Sequence, residues 1–151
     1  MPALIALLAL VLAYVTFNQT PFGRYVTGIG ANAEAVRRAG VNTRFVTLCV
    51  YVLSGTAAAM AGIILAARLG SGSSNAGQGF ELDVIAAVFI GGASASGGVG
   101  KVMGAVIGAF IMGVMNNGMS IMGVGIDWQQ VVKGLVLLAA VIFDVYNKNK
   151  A

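Results

Sequence analysis

The sequence predicts an all-α membrane protein, a polytopic helix bundle of about five membrane segments that includes one broken or re-entrant helix. Residues 45–69 are as apolar and as long as a helix that crosses ~30 Å of hydrocarbon, which takes ~20 residues. No charge interrupts this run between Arg44 and Arg68. Of all 151 residues, 58% are hydrophobic and 9% are charged, whereas soluble domains carry about 25% charged residues.

Hydropathy divides the chain into five apolar segments, at residues 3–17, 45–69, 82–92, 102–114 and 131–146. The third segment is too short to span a bilayer comfortably. We expect a single transmembrane domain over residues 1–151, with one long polar loop at residues 18–44 between the first two segments.

The basic residues predict the orientation of these segments. Cytoplasmic loops of membrane proteins carry an excess of Lys and Arg. Five crossings that place loop 18–44 in the cytoplasm also place the C-terminus there, and seven of the nine basic residues then lie inside. The other two are Arg68 and Lys133. Both can snorkel to the outer interface, and Lys133 can also pair with Asp127.

A short helix is predicted within the polar loop, at residues 32–40. Asn32 can cap its first turn, and Glu34 near the start complements the helix dipole. Arg37 and Arg38 near the end are favoured there for the same reason, and Gly40 supplies the stop. This helix is expected to lie outside the membrane, where another protein can bind it.

The glycines have two predicted roles. Gly100, Gly104 and Gly108 recur every four residues, so we expect them on one helix face that a second helix approaches closely. A separate cluster after the third segment contains Gly91, Gly92, Ser94 and Ser96. It is either an ordinary turn between helices or a broken helix of the kind that marks a substrate path.

Further polar residues allow alternatives. Asn116 and Asn117 either bind a substrate or join helices by hydrogen bonds. Near the end of the last segment, Asp144 is expected to pair with Lys148, four residues further on.

Several classes of function are excluded. The chain has no histidine and one cysteine, so neither a common general base nor a metal site is expected, and no cofactor is predicted. The glycine runs lack the G-x-x-x-x-G-K-[ST] spacing of a phosphate loop, so the chain is not expected to hydrolyse ATP. The net charge of +4 is interpreted as membrane orientation rather than as nucleic-acid binding.

One motif resembles a known family. Glu34 and Ala35, followed by Gly40, resemble the EAA-x-x-x-G motif of permease subunits of bacterial ABC importers, with Val36 in place of the second Ala. The likeness to ribose/xylose-type monosaccharide permeases, above all the xylose permease, extends to residues 20–25, 79–84, 90–94, 116–118, 120–130 and 143–148. It covers nearly the whole chain but only the C-terminal part of those permeases.

The resemblance implies a transport subunit of the bacterial inner membrane that carries a pentose, with D-xylose expected. Its implied partners are a cytoplasmic ABC ATPase, which would grip residues 32–40, a periplasmic sugar-binding protein and a second permease copy. Glu81 and Asp83 then become candidates for docking the binding protein, although acids also suit the first turn of a helix. The alternative is a truncated or non-transporting structural module of such a complex.

Overall fold

A computed structural model describes residues 2–72 and 77–148, and the side chains of these residues up to Tyr146. The predicted cytoplasmic tail includes residues 149–151, which lie outside the described residues. Within the described part the regular structure is entirely helical, which confirms the all-α prediction. The helices are α1 (Pro2–Asn18), α2 (Pro21–Arg38), α3 (Thr43–Leu69), α4 (Phe80–Ile90), α5 (Val102–Ile121) and α6 (Ile126–Lys148). Their contacts form two units, α1–α3 and α4–α6.

The connection between α1 and α2 is a sharp bend. Pro21 occupies the first turn of α2, where its fixed φ and missing N–H are tolerated. The two helices meet at 70°. Gly23 lies against the backbone of Phe17, and a Cβ at this position would fall 1.8 Å from the Phe17 carbonyl oxygen. The close approach therefore requires glycine.

The prediction of a polar loop over residues 18–44 is wrong at residues 21–31, because α2 begins at Pro21 and continues into the short helix predicted at residues 32–40. Polar residues lower the mean hydropathy of this segment, but they alternate with apolar ones at helical spacing, so the helix is amphipathic. Hydropathy alone cannot tell such a helix from a loop.

Helix α3 has clear signals at both ends. The side chain of Asn42 accepts a hydrogen bond from the backbone N–H of Phe45 at 3.3 Å, and Gly70 ends the helix in the left-handed region with φ +63°. Both are common terminal devices of helices.

In the second unit, α4 packs against both α5 and α6. Its core consists of Ala86, Ala87 and Met112. The small side chains on α4 allow α5 to approach closely, and partly buried residues of α6 such as Val136 cover the same cluster. Unlike in water, such packing in lipid relies on van der Waals contact rather than on the hydrophobic effect.

In the described residues, three helices are long and apolar enough to cross a membrane: α3, α5 and Ile126–Tyr146 of α6. The bent pair of α1 and α2 makes a fourth if it is one broken span. Helix α4 has 11 residues, about 16 Å at 1.5 Å per residue, so it covers about half of the hydrocarbon thickness.

Candidate functional site

The short helix predicted near residue 32 is present as the last part of α2. Asn32 has non-helical dihedral angles, φ −157° and ψ 95°, which separate residues 33–38 from the rest of the helix. Its side-chain oxygen accepts a hydrogen bond from the N–H of Ala35 at 3.0 Å. At the other end, Gly40 has φ +85°, and its N–H donates to the carbonyl oxygen of Arg37 at 3.1 Å. The sequence thus defines both ends of this helix.

The charged side chains of this helix interact with one another. Arg37 donates to Glu34 Oε1 at 3.0 Å, and Arg38 approaches the same oxygen at 3.4 Å. All three side chains are more than half exposed. Exposed pairs of this kind contribute less than about 1 kcal/mol each, so their charges remain available to a partner.

A polar cluster joins α4, α5 and α6. Lys133 Nζ of α6 lies 2.9 Å from Asp83 Oδ2 of α4, and each side chain is only 12% exposed. Asn116 of α5 donates its Nδ2–H to the same oxygen, also at 2.9 Å. The expected pairing of Lys133 with Asp127 is therefore corrected. Asp127 lies in the first turn of α6 and is exposed, whereas Asp83 faces the partly buried Lys133 from α4.

A second polar contact connects the turn after α4 to the end of α6. Asp144 Oδ2 accepts hydrogen bonds from Ser94 Oγ at 3.2 Å and from the N–H of Ala95 at 2.9 Å. Ser94 Oγ also lies 3.0 Å from Ser96 Oγ. This contact was not predicted, and the side chain of Lys148, the expected partner of Asp144, lies outside the described residues.

The glycine cluster after α4 forms a turn between two helices. Gly92, Gly97 and Gly98 have φ of +85°, +82° and +80°, which side chains other than glycine rarely adopt. The N–H of Gly97 donates to the carbonyl oxygen of Ser94 at 3.0 Å and closes the turn. Whether this turn borders a substrate path stays a prediction.

The glycines of α5 lie against the backbone of α4. A Cβ on Gly104 would fall 2.0 Å from the carbonyl oxygen of Gly91, and one on Gly108 would fall 1.9 Å from that of Ala87. Gly100 differs from the other two glycines of the repeat. It precedes α5, and its Cβ would meet only Ala93 at 3.7 Å.

The remaining predicted residues are more dispersed. Glu81 is exposed in the first turn of α4, and Asn117 is exposed on α5. Asp83 is turned inward to Lys133, which separates it from Glu81, the other candidate for docking. The docking and substrate roles of these residues stay predictions.

Sequence reasoning missed that Asp83 pairs with Lys133 and that Ser94 pairs with Asp144. The two members of each pair are 50 positions apart in the sequence. This equal separation means that α4 and the following turn run parallel to α6. The signal in the sequence was the matching separation of the polar residues along the two segments. Without knowing that α4 and α6 are neighbours, that separation has no meaning.

As to metal binding, no group of three or more His, Cys, Asp or Glu side chains lies together within residues 2–72 and 77–148. The polar cluster contains one carboxylate, and an ammonium already neutralises it.

Residues 1–141 match the family described as the permease component of branched-chain amino acid transport systems. The chain belongs to this permease family. Family membership agrees with the apolar helices and places the chain among multi-pass transport components rather than enzymes.

Individual relatives of this permease chain carry sugar-transport names. It is 47% identical over 149 residues to the xylose transport system permease protein of Haemophilus influenzae, covering 99% of the chain and 40% of that protein. It is 44% identical over 143 residues to the ribose import permease protein of Bacillus subtilis, covering 95% of the chain and 44% of that protein. The chain thus spans about two fifths of the length of these relatives. No solved structure matches the chain significantly.

Proposed function

We propose that this permease chain is a transmembrane subunit of an ATP-driven importer that carries a pentose, D-xylose in the first place, across the bacterial inner membrane. The observation that carries the proposal is the identity of 44–47% to xylose and ribose permeases over 95–99% of the chain. The xylose relative is favoured because motifs at residues 120–130 and 143–148 resemble it most.

The partners follow from this proposal. A separate cytoplasmic ATPase supplies the energy, a periplasmic binding protein delivers the sugar to the outer face, and a second permease copy completes the path. The helix at residues 33–38 is the coupling helix that the ATPase grips. This role is supported by the exposed charged side chains of Glu34, Arg37 and Arg38, which a partner can bind. It is also supported by the defined ends of the helix, because a rigid helix transmits movement of the ATPase to the membrane helices.

Uptake measurements test the transport function. The chain, as cells express it with its ATPase and binding protein, is reconstituted in vesicles and given labelled xylose, ribose or arabinose. We expect ATP-dependent uptake, with xylose preferred. ATPase recruitment without uptake of any pentose would contradict the proposal and favour the non-transporting structural module.

Variants of the short helix test its coupling role. Glu34→Ala and Gly40→Ala should reduce uptake severalfold more than ATP hydrolysis, because the helix is then misshapen or poorly gripped. Asp127→Ala, which removes an exposed acid at the start of α6, serves as the matched control and should leave both rates unchanged. Normal uptake by both helix variants would refute the coupling role.

Sidedness is tested by labelling. In a Cys49→Ala background, a cysteine introduced at the exposed position Ala33 should react with a membrane-impermeant maleimide only after the cytoplasmic side is opened. The proposed orientation has residues 18–44 and the C-terminus in the cytoplasm. Reaction in intact cells would place this helix on the outer face and refute that orientation.

A further inference from the structure

Two acceptor atoms in the polar cluster have no hydrogen-bond partner among the described residues. They are Asp83 Oδ1 and Asn116 Oδ1, and both are inaccessible to water. The other oxygen of Asp83 receives two hydrogen bonds, from Asn116 and from Lys133. Buried acceptors without a partner are uncommon because each loses its hydration without compensation. This pair therefore calls for a physical explanation.

Asn116 and Lys133 of the cluster lie within the two segments of α5 and α6 that are long and apolar enough to cross a membrane. Lys133 is seven residues into α6, about 10 Å from its start at 1.5 Å per residue. Charged side chains within such segments are costly and rare, so the pair of Lys133 and Asp83 is a candidate for a functional role. The ion pair itself is nearly charge-neutral, so what remains unsatisfied is hydrogen bonding rather than charge.

A cavity is lined in part by the two residues that carry these acceptors. It has a volume of about 260 Å³, lies between α4 and α5, and its polar lining consists of Asp83 and Asn116. Phe80 and Met112 supply apolar surface, and Gly113 leaves space beside them. The same two residues thus hold the unpaired acceptors and line the cavity. The torsion χ2 is soft in Asp and Asn, so a small tilt of either terminal group can expose its unpaired oxygen to this space while Asp83 Oδ2 keeps its contacts with Asn116 and Lys133.

The chemistry of the ligand follows from the lining. Two free acceptors require a ligand that brings hydrogen-bond donors. Because Lys133 already neutralises Asp83, a cation gains little there, and a carboxylate cannot donate to the two unpaired oxygens. A neutral polyhydroxyl molecule fits both the two unpaired oxygens and the apolar lining. Its hydroxyls donate hydrogen bonds to the oxygens, and its C–H face packs against apolar residues such as Phe80.

We propose that Asp83 and Asn116 form a hydroxyl-binding subsite for the sugar in the cavity between α4 and α5, with Lys133 holding Asp83 in place. This inference rests on the proposed pentose transport and adds its binding residues. It also moves Asp83 from the docking surface to the transport path, and it discriminates a sugar from the branched-chain amino acids in the family's description.

Cysteine protection tests the subsite. In a Cys49→Ala background, Gly113→Cys places a thiol on the cavity wall, and a Cβ there has no atom within 4 Å, so the substitution fits. Gly118→Cys is the matched control on the same helix. It has equal space but lies outside the cavity lining. The assembled complex is labelled with a small permeant maleimide in the presence of xylose, ribose or leucine.

We expect xylose to slow the labelling of Gly113→Cys at least threefold and to leave the labelling of Gly118→Cys unchanged. Leucine should have no effect at either position. Adding Asn116→Leu removes one acceptor and should raise the xylose concentration for half-protection about fivefold to tenfold. Asn116→Ser, which retains an oxygen, should restore part of the protection. The labelling rate without sugar must match that of the parent, which shows that the local fold is intact.

The results separate this inference from the transport function. Xylose uptake by the complex combined with unprotected Gly113→Cys would overturn the subsite alone. Protection by leucine as strong as by xylose would also overturn it, because the cavity would then bind by apolar contact. Absence of uptake of every pentose would overturn the proposed function and the subsite with it.

Discussion

Replacement of Gly108 by alanine tests the packing of α5 on α4. The new Cβ would lie 1.9 Å from the carbonyl oxygen of Ala87, and real Cβ atoms essentially never approach another atom within 3.0 Å. The two helices must therefore separate by about 1 Å, and a gap of this size forfeits about a quarter to a half of each van der Waals contact it opens. The core residues that lose contact are Ala86, Ala87 and Met112.

The magnitude follows from comparison with a matched variant. Gly118→Ala also adds a methyl group to α5, but nothing lies within 4 Å of its Cβ. Both changes gain up to about 1 kcal/mol of helix propensity, so their difference isolates the steric term. Overpacking costs about 1–3 kcal/mol, and the upper end applies here because the obstacle is backbone. We expect Gly108→Ala to be about 3 kcal/mol less stable than Gly118→Ala.

Thermal unfolding measures this difference. The two purified variants are melted in the same detergent and followed by circular dichroism at the helical band. For a chain of this size, about 3 kcal/mol corresponds to a melting temperature lower by about 6–12 °C. A melting temperature of Gly108→Ala equal to or above that of Gly118→Ala would refute the argument that the α4 backbone occupies this space.

Three further substitutions have defined outcomes. Lys133→Met should lower the melting temperature by the equivalent of about 3–5 kcal/mol, because it leaves the carboxylate of Asp83 buried without its ion-pair partner. Adding Asp83→Leu should recover most of this loss. A double variant as unstable as Lys133→Met alone would contradict the prediction. Asp144→Ala removes two hydrogen bonds to the turn after α4. It should speed amide hydrogen exchange in that turn and lower the stability by about 1–3 kcal/mol. Unchanged exchange would show that the contact is dispensable. Asn32→Ala removes a helix cap at about 1 kcal/mol and should raise amide exchange at residues 33–38 about fivefold, without affecting α3; equal exchange would place the cap elsewhere.

The sequence predicted the local features well, and the short helix of α2 shows why. Its cap at Asn32 and its stop at Gly40 are decided within a few residues, by a side chain that bonds the first turn and by a φ of +85° that glycine tolerates. The same holds for the long apolar run of α3. By contrast, the rest of α2 was taken for a loop because hydropathy averages over its two faces.

The candidate subsite could not be predicted in the same way. Asp83, Asn116 and Lys133 were each noted separately, but nothing within their own segments shows that they meet, and the nearest acid in sequence to Lys133 was the wrong partner. The α4–α5 turn and the parallel course of α4 and α6 bring these residues together. The unpaired acceptors become visible only when every neighbouring donor has been placed.

The sequence by itself determined that this protein is a helical membrane protein, because the length and polarity of each segment and the signals at its ends act over a few residues at a time. Its permease family was indicated by motif resemblance and shown by the match of residues 1–141 to the family. Only the tertiary structure decided which polar groups meet in the membrane. Electrostatic and hydrogen-bond pairing depends on distance in space, and close approach of α4 and α5 at Gly104 and Gly108 sets that distance for residues that are tens of positions apart in the chain.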